Sequence, residues 1–299
     1  MITYLLLAFT VGLAVLSIFL FYRATRQPLK DAVFTAALSV SMALFIYLFG
    51  TWVFLSIYCK FAFGITYLVL ALLFLWKRRV KLRTGAVWYK VVFTILLGTA
   101  SILYFTGTTG TPQTVELDFP LKKGRYFVLQ GGKGLPTNIF HFSLRGAIYA
   151  MDIIKLNKNG TRGNHIFSKD LEDYAIYGDT IYSPCSGKVI RAYGGNPDNI
   201  PPNMQRGPKN TNMVLIETDS FYVFMGHLKK DGVFVKEGDI VVTGQPLGRV
   251  GNSGFSTEPH LHIQVHAKQQ RAWYASTPLY IHFNGKGYLL NEVIREKNL

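Results

Sequence analysis

The sequence predicts an N-terminal α-helical membrane region of about four transmembrane helices, followed by a C-terminal all-β domain of antiparallel sheet. Three observations predict it. Four long runs without a charged residue lie in the first 115 positions. Residues 1–110 hold ten Lys/Arg but a single acid, Asp31, so +9 of the net +15 sits in the first third of the 299-residue chain. Beyond residue 110, short runs of Val, Ile, Tyr and Phe alternate with Gly, Pro, Asn and Asp, the pattern of many short strands. A chain of this length has room for both parts.

The helices come first. A bilayer core needs about 20 apolar residues in a helix. Residues 1–22, "MITYLLLAFTVGLAVLSIFLFY", meet that length, as do the uncharged stretch 32–59 and "VVFTILLGTASILYFTG" at 91–107. "FAFGITYLVLALLFLW" has 16 residues and spans if Lys60 and Lys77 extend to the headgroups. The expected spans are about 2–22, 32–56, 60–76 and 90–107, with a tight hairpin near Ser56–Lys60. Three spans, with one of the middle pair lying in the interface, is the alternative. The first run is not expected to be a cleaved signal peptide, because its basic residues follow it instead of preceding it.

Sidedness follows from the loops. "RATRQPLKD" (23–31) holds three basic residues and "KRRVKLRTGAVWYK" (77–90) holds six. The positive-inside rule puts both in the cytoplasm. The fourth helix then delivers the rest of the chain to the extracytoplasmic side. A pI near 9.7 would fit a nucleic-acid binder, but the excess charge borders the apolar runs, so no nucleic acid is expected. The lipid bilayer is the expected partner of the helices, and a membrane-protein partner is left open.

The polar stretch "TGTTGTPQT" (106–114) reads as a linker covering about 108–118, and the β domain as 119–290. "KVIRAYGG", "NMVLIETD", "FYVFMGHL" and "PLGRVGNSG" read as strands with turns, and "VKEGDIVVTGQPLGRVG" as a hairpin. The two cysteines, Cys59 and Cys185, read as buried, unpaired thiols.

Chemistry concentrates in "PHLHIQVH" (259–266), which holds three of the chain's seven histidines in one strand. Residues i and i+2 of a strand share a face, so His260 and His262 project side by side, about 6–7 Å apart. One imidazole can hold a metal while its neighbour reaches a water. His266 shares their parity but lies about 13 Å beyond His262 and reads as structural or surface. Asp152 sits inside the apolar "YAMDII", where a charge is costly without a partner. Lys122, Lys123 and Arg125 read as a solvated face, and His282 is assigned nothing.

"GNSGFSTEPHLHIQV", the preceding "YVFMGHLKKDGVFVKEGDIVVTGQPLGRVGNSG", and "YAMDII" with "GDTIYSPCSGKVIRAYGG" together resemble the lysostaphin-type (LytM-domain) zinc metallopeptidases, which cut peptide cross-links in bacterial cell walls. The resemblance runs from about Phe119 to Pro278. It implies one Zn²⁺ per domain held by Asp152 and His262, with His227 and His260 as catalytic histidines. The family's usual first ligand, four residues before the Asp, falls here on Ile148. The resemblance supplies His141 instead, eleven residues upstream in "PTNIFHFSLRGAIYAMDI", with His165 of "TRGNHIFSKD" as the rival. Zinc accepts imidazole nitrogen and carboxylate oxygen, so a His/Asp/His set suits it. The implied protein is a multi-pass membrane-anchored zinc endopeptidase acting on peptidoglycan stem peptides or cross-bridges. A catalytically silent wall-binding or activator domain, and a peptidase with a protein substrate, are the alternatives.

Overall fold

The structure, a computed structural model, describes residues 2–77, 86–205 and 208–295. The chain divides into two compact units, one made of Met1–Phe105 with Asn159–Thr161, the other of Thr106–Lys158 with Arg162–Leu299.

Among the described residues the first unit holds four α-helices: α1 (Ile2–Ala24), α2 (Leu29–Phe49), α3 (Ile57–Trp76) and α4 (Trp88–Thr106). Each is long and apolar enough to cross a membrane. Two expectations are corrected. First, α2 stops at Phe49, seven residues short of the expected end, because Gly50 turns extended (φ −61°, ψ 146°). The Trp52 indole N–H then bonds to the Ile46 carbonyl at 2.8 Å and folds the chain back, so the connection runs through residues 50–56. Second, α3 begins at Ile57 and includes Lys60, whose buried ammonium lies 4.8 Å from the Tyr47 ring centre instead of reaching outward. Of the basic stretch 77–90, positions 78–85 lie outside the described residues.

The second unit is a sheet domain. Its strands are β1 (Thr114–Leu117), β2 (Arg125–Gln130), β3 (Met151–Leu156), β4 (Thr180–Tyr182), β5 (Gly187–Tyr193), β6 (Met213–Glu217), β7 (Phe221–Gly226), β8 (Leu228–Val233), β9 (Ile240–Val241), β10 (Pro246–Val250), β11 (Leu261–Ala267), β12 (Pro278–Phe283), β13 (Lys286–Gly287) and β14 (Val293–Arg295). The large sheet runs β14-β2-β3-β11-β7-β6-β5-β9, with β12 joining β11, β1 and β13; β4-β10-β8 form a small second sheet. Among the described residues all strand pairs are antiparallel except β1 with β12. Both sheets contribute to one apolar core that includes Ile153, Ile181, Val189, Ile216, Leu247, Ile263 and Ile281.

Three boundaries differ from expectation. Thr114–Leu117, expected as linker, is β1 and pairs with Tyr280–Phe283. Val293–Arg295, past the expected end at 290, is β14 on β2. The expected hairpin does not close on itself: β9 pairs with β5 while β10 pairs with β4 and β8. The turn between them, with Gly244 at φ +82°, carries the chain from one sheet to the other. Both thiols are unpaired, and Cys59, expected buried, is exposed on α3.

Candidate metal centre

β11 lies between β3 and β7 and puts His262 directly opposite Asp152 on one side and Gly226 on the other. Opposed residues of an antiparallel pair share a face. In β3, Met151 and Ile153 enter the core, so Asp152 must turn to the other face. In β11, Leu261, Ile263 and Val265 do the same and leave His262 beside Asp152, with Nδ1 2.9 Å from Oδ1.

His141 arrives from a different element. It sits on the short helix α5 (Ile139–Phe142), and a 3₁₀ turn at 145–147 leads the chain back to β3. This closes the eleven-residue gap: His141 Nε2 lies 3.4 Å from Asp152 Oδ2. Its Nδ1–H donates to Asn138 Oδ1 at 2.8 Å. Asn138 is itself oriented by donating to the Ile148 and Ala150 carbonyls at 3.1 and 2.9 Å. Ligand atoms of His141, Asp152 and His262 all fall within 4.8 Å of one another.

The two remaining histidines border this group. His227 follows β7 directly in a left-handed conformation, φ +64°, a strain that persists only where surroundings enforce it. Its Nδ1–H donates to the Ser253 carbonyl at 2.8 Å. His260 donates from Nδ1 to the Glu258 carbonyl at 2.8 Å, and its Nε2 lies 3.4 Å from Asp152 Oδ1. The two rings are 4.7 Å apart, centre to centre. The loop between β10 and β11 thus fixes both rings by backbone carbonyls, leaving each Nε2 uncommitted to them. A buried ion pair, Arg162 with Glu258 at 2.6 Å, anchors that loop.

The electrostatics follow from burial. Burial opposes ionisation of Asp152, but the neighbouring His141 and His260 rings outweigh it and hold the carboxyl well below the usual range. Burial lowers His141 to about 4 despite the nearby Asp152 charge. It lowers His227 well below the usual value, aided by His260 and His262. Burial also opposes charge on His260, yet Asp152 and the Glu258 groups prevail and raise it. At neutral pH Asp152 is therefore a carboxylate and His141 a neutral imidazole, the forms in which such residues bind metal. Two imidazoles and one carboxylate, each ring's other nitrogen already hydrogen-bonded, fit the set that zinc takes in catalytic sites.

His165 stands elsewhere: its side chain is 73 % exposed and pairs with Asp173 at 3.1 Å. His266 is fully buried, so of the two readings the structural one holds and the surface one does not. His282 contacts the Tyr280 ring. Sequence reasoning missed Asn138 and Gln264. The signals were available: Asn138 precedes His141 by three residues, and Gln264 shares the parity of His262.

Residues 168–273 match Peptidase family M23. The matched stretch lies within the second unit. The matched stretch holds His227, His260 and His262, while His141 and Asp152 precede it. Among solved structures, the chain is similar to a zinc-containing peptidase from Vibrio cholerae at 20% identity, over 56% of this chain and 41% of that one, with a TM-score of 0.34. It is similar to lysostaphin at 21% identity, over 49% of this chain and 45% of that one, with a TM-score of 0.31. The SpoIIIAH–SpoIIQ complex contains a similar chain at 16% identity, over 51% of this chain and 96% of that one, with a TM-score of 0.33. The chain thus spans under half the length of the first two. None of the curated proteins compared with the chain matches it.

Proposed function

We propose that the chain is a membrane-anchored zinc endopeptidase that hydrolyses peptide bonds in bacterial peptidoglycan, with the M23 domain on the extracytoplasmic side. One observation carries the reading: nitrogen and oxygen donors of His141, Asp152 and His262 converge within 4.8 Å, with His227 and His260 alongside. The M23 match supports a peptidase acting on peptide or peptidoglycan. The four apolar helices support membrane association. On this reading the M23 domain takes up residues from about 119 and α1–α4 serve as the anchor.

His141 would bind through Nε2, His262 through Nδ1 and Asp152 through its carboxylate. Zinc held by these residues would supply Lewis acidity towards a scissile carbonyl and a water. His227 and His260 divide the proton work. One takes the proton as water oxygen attacks the carbonyl carbon. The other hydrogen-bonds the developing oxyanion or protonates the amine as the C–N bond breaks. The carbonyls of Ser253 and Glu258 hold the two rings in place for this.

The test is a zymogram of the full-length protein on cell walls, with and without chelator, followed by mass spectrometry of the products. Clearing that chelator abolishes, with new peptide termini released, is expected. No clearing from zinc-loaded protein would leave a silent binding domain. Cleavage of protein but not wall would correct the substrate.

A further inference from the structure

His262, Gln264 and His266 all lie on the same face of β11, by strand parity. His266 is 0 % exposed, and its Nδ1 lies 3.0 Å from the Ser276 carbonyl oxygen. A carbonyl only accepts, so Nδ1 carries the hydrogen. Burial pushes His266 below its usual value and keeps the ring neutral, so Nε2 is a lone pair. The Gln264 side-chain nitrogen lies 3.4 Å from that lone pair and is the donor. The orientation of the amide is thereby set, which a glutamine between two uncommitted rings would lack. Its oxygen must face His262, where it lies 3.0 Å from Nε2. An amide oxygen also only accepts, so His262 donates from Nε2, and Nδ1 is the nitrogen left to share a metal with Asp152.

We infer that Gln264 and His266 are positioning residues: a directional chain from Ser276 through His266 and Gln264 presents the His262 Nδ1 lone pair to the metal. The inference rests on the reading of His262 as a ligand. Its logic is exclusion of the wrong arrangement. With the amide reversed, its NH₂ would face His262, the ring hydrogen would move to Nδ1, and the metal-binding nitrogen would be blocked. The Trp273 ring packs edge-on against His266, 5.5 Å between centres, and helps keep that ring in place.

The experiment measures zinc affinity of the full-length protein in detergent by competition with a chromogenic chelator. Partners that orient a metal-binding imidazole are worth about 10–100-fold in affinity, so Gln264→Leu should weaken zinc by that factor and His266→Phe by about 10-fold. Gln264→Glu keeps an oxygen facing His262 Nε2–H and should stay within about threefold of wild type, although it buries a charge and lowers thermal stability. A merely structural role predicts the opposite order, with Glu worse than Leu. Folded Leu and Phe variants that bind zinc like wild type would overturn the inference. So would a folded Glu variant that loses as much affinity as Leu. Should Leu and Phe fail to fold, the Glu variant and the ¹⁵N shifts of His266 in the wild type decide: Nδ1–H with a bare Nε2 is expected, and the reverse overturns the chain. If wild type binds no zinc, the metal reading fails, while the same ¹⁵N shifts still judge the hydrogen-bond chain by itself.

Discussion

The two units differ in where they put their apolar side chains. In the helical unit, large apolar side chains face outward: Leu68 on α3 is 64 % exposed, and Ile65, Leu72 and Trp76 are exposed with it. What these helices bury between them includes Ser17, Thr35 and Ser39. Ser39 Oγ donates to the Ser17 carbonyl at 2.6 Å and lies 2.7 Å from the Tyr67 hydroxyl. In the sheet unit the order is the familiar one, with Val189, Ile216, Ile263 and Ile281 all buried in one core. The difference teaches which solvent each unit is built for. Water drives apolar surface together at roughly 25 cal/mol per Å². Between helices in lipid that drive is absent, and close packing and hydrogen bonds must serve. One exception in the sheet unit is the group of His141, Asp152, His227, His260 and His262, polar and buried where the rule calls for apolar residues. Buried ionisable groups gathered without apolar purpose mark a site.

The largest effects should come from that exception. Asp152→Ala leaves two buried imidazoles without their carboxylate and should abolish both zinc retention, read by elemental analysis, and wall clearing. His227→Ala should separate the two properties: zinc is retained, while turnover falls by about 10²–10⁴, as loss of an acid–base group does. Zinc lost together with turnover in His227→Ala would reassign this residue as a ligand and break the proposed division of roles.

Strand parity made part of this site legible in the sequence. Asp152 and His262 are interior to apolar runs, and alternation alone puts each on the non-core face. The four helices were legible because a charge-free run of that length has few other uses. What was not legible depends on partners far along the chain. Thr114–Leu117 looks like linker because its strand character comes from pairing with Tyr280–Phe283. The end of α2 at Phe49 depends on an indole reaching back to Ile46, which no periodicity announces. His141 rests on a helix of four residues, too short to leave a pattern, and only the resemblance singled it out. Gln264 escaped because its task is set by His266, and the task of His266 by Ser276.

Next in size is a direct test of the contrast in solvent. Ile216, 0 % exposed on β6, sits in the shared core. Ile216→Ala should destabilise the sheet unit by about 2–5 kcal/mol, measured by denaturant unfolding, since it removes buried methyl groups and leaves a cavity. Leu68→Ala removes a similar side chain from the middle of α3 and should shift stability in detergent by less than about 0.5 kcal/mol. Leu68→Arg inverts the result: near the centre of a span it should cost about 2.5–3.5 kcal/mol on an insertion assay. If Leu68→Ala costs as much as Ile216→Ala, that face of α3 is covered by protein and not by lipid.

The smallest effect tests what holds the helices to one another. Ser39 on α2 bonds to the Ser17 carbonyl on α1 and contacts the Tyr67 hydroxyl on α3, so one hydroxyl touches three helices. In water such a residue could be exchanged for Ala at little cost, with solvent taking over the bonds. Inside a bundle, Ser39→Ala strands a phenol and leaves the Ser17 carbonyl to its own helix. Measured interhelical hydrogen bonds in membranes average only about 0.6 kcal/mol, because the separated helices also find partners. Two bonds lost together should therefore cost about 1 kcal/mol, read as a shift in the detergent unfolding midpoint. Tyr67→Phe removes only the second bond and should cost about half as much. Equal losses in both variants would mean that the Ser39–Ser17 bond contributes nothing, leaving the Tyr67 ring, packed edge-on to Phe21 at 5.9 Å, and its hydroxyl to join α1, α2 and α3.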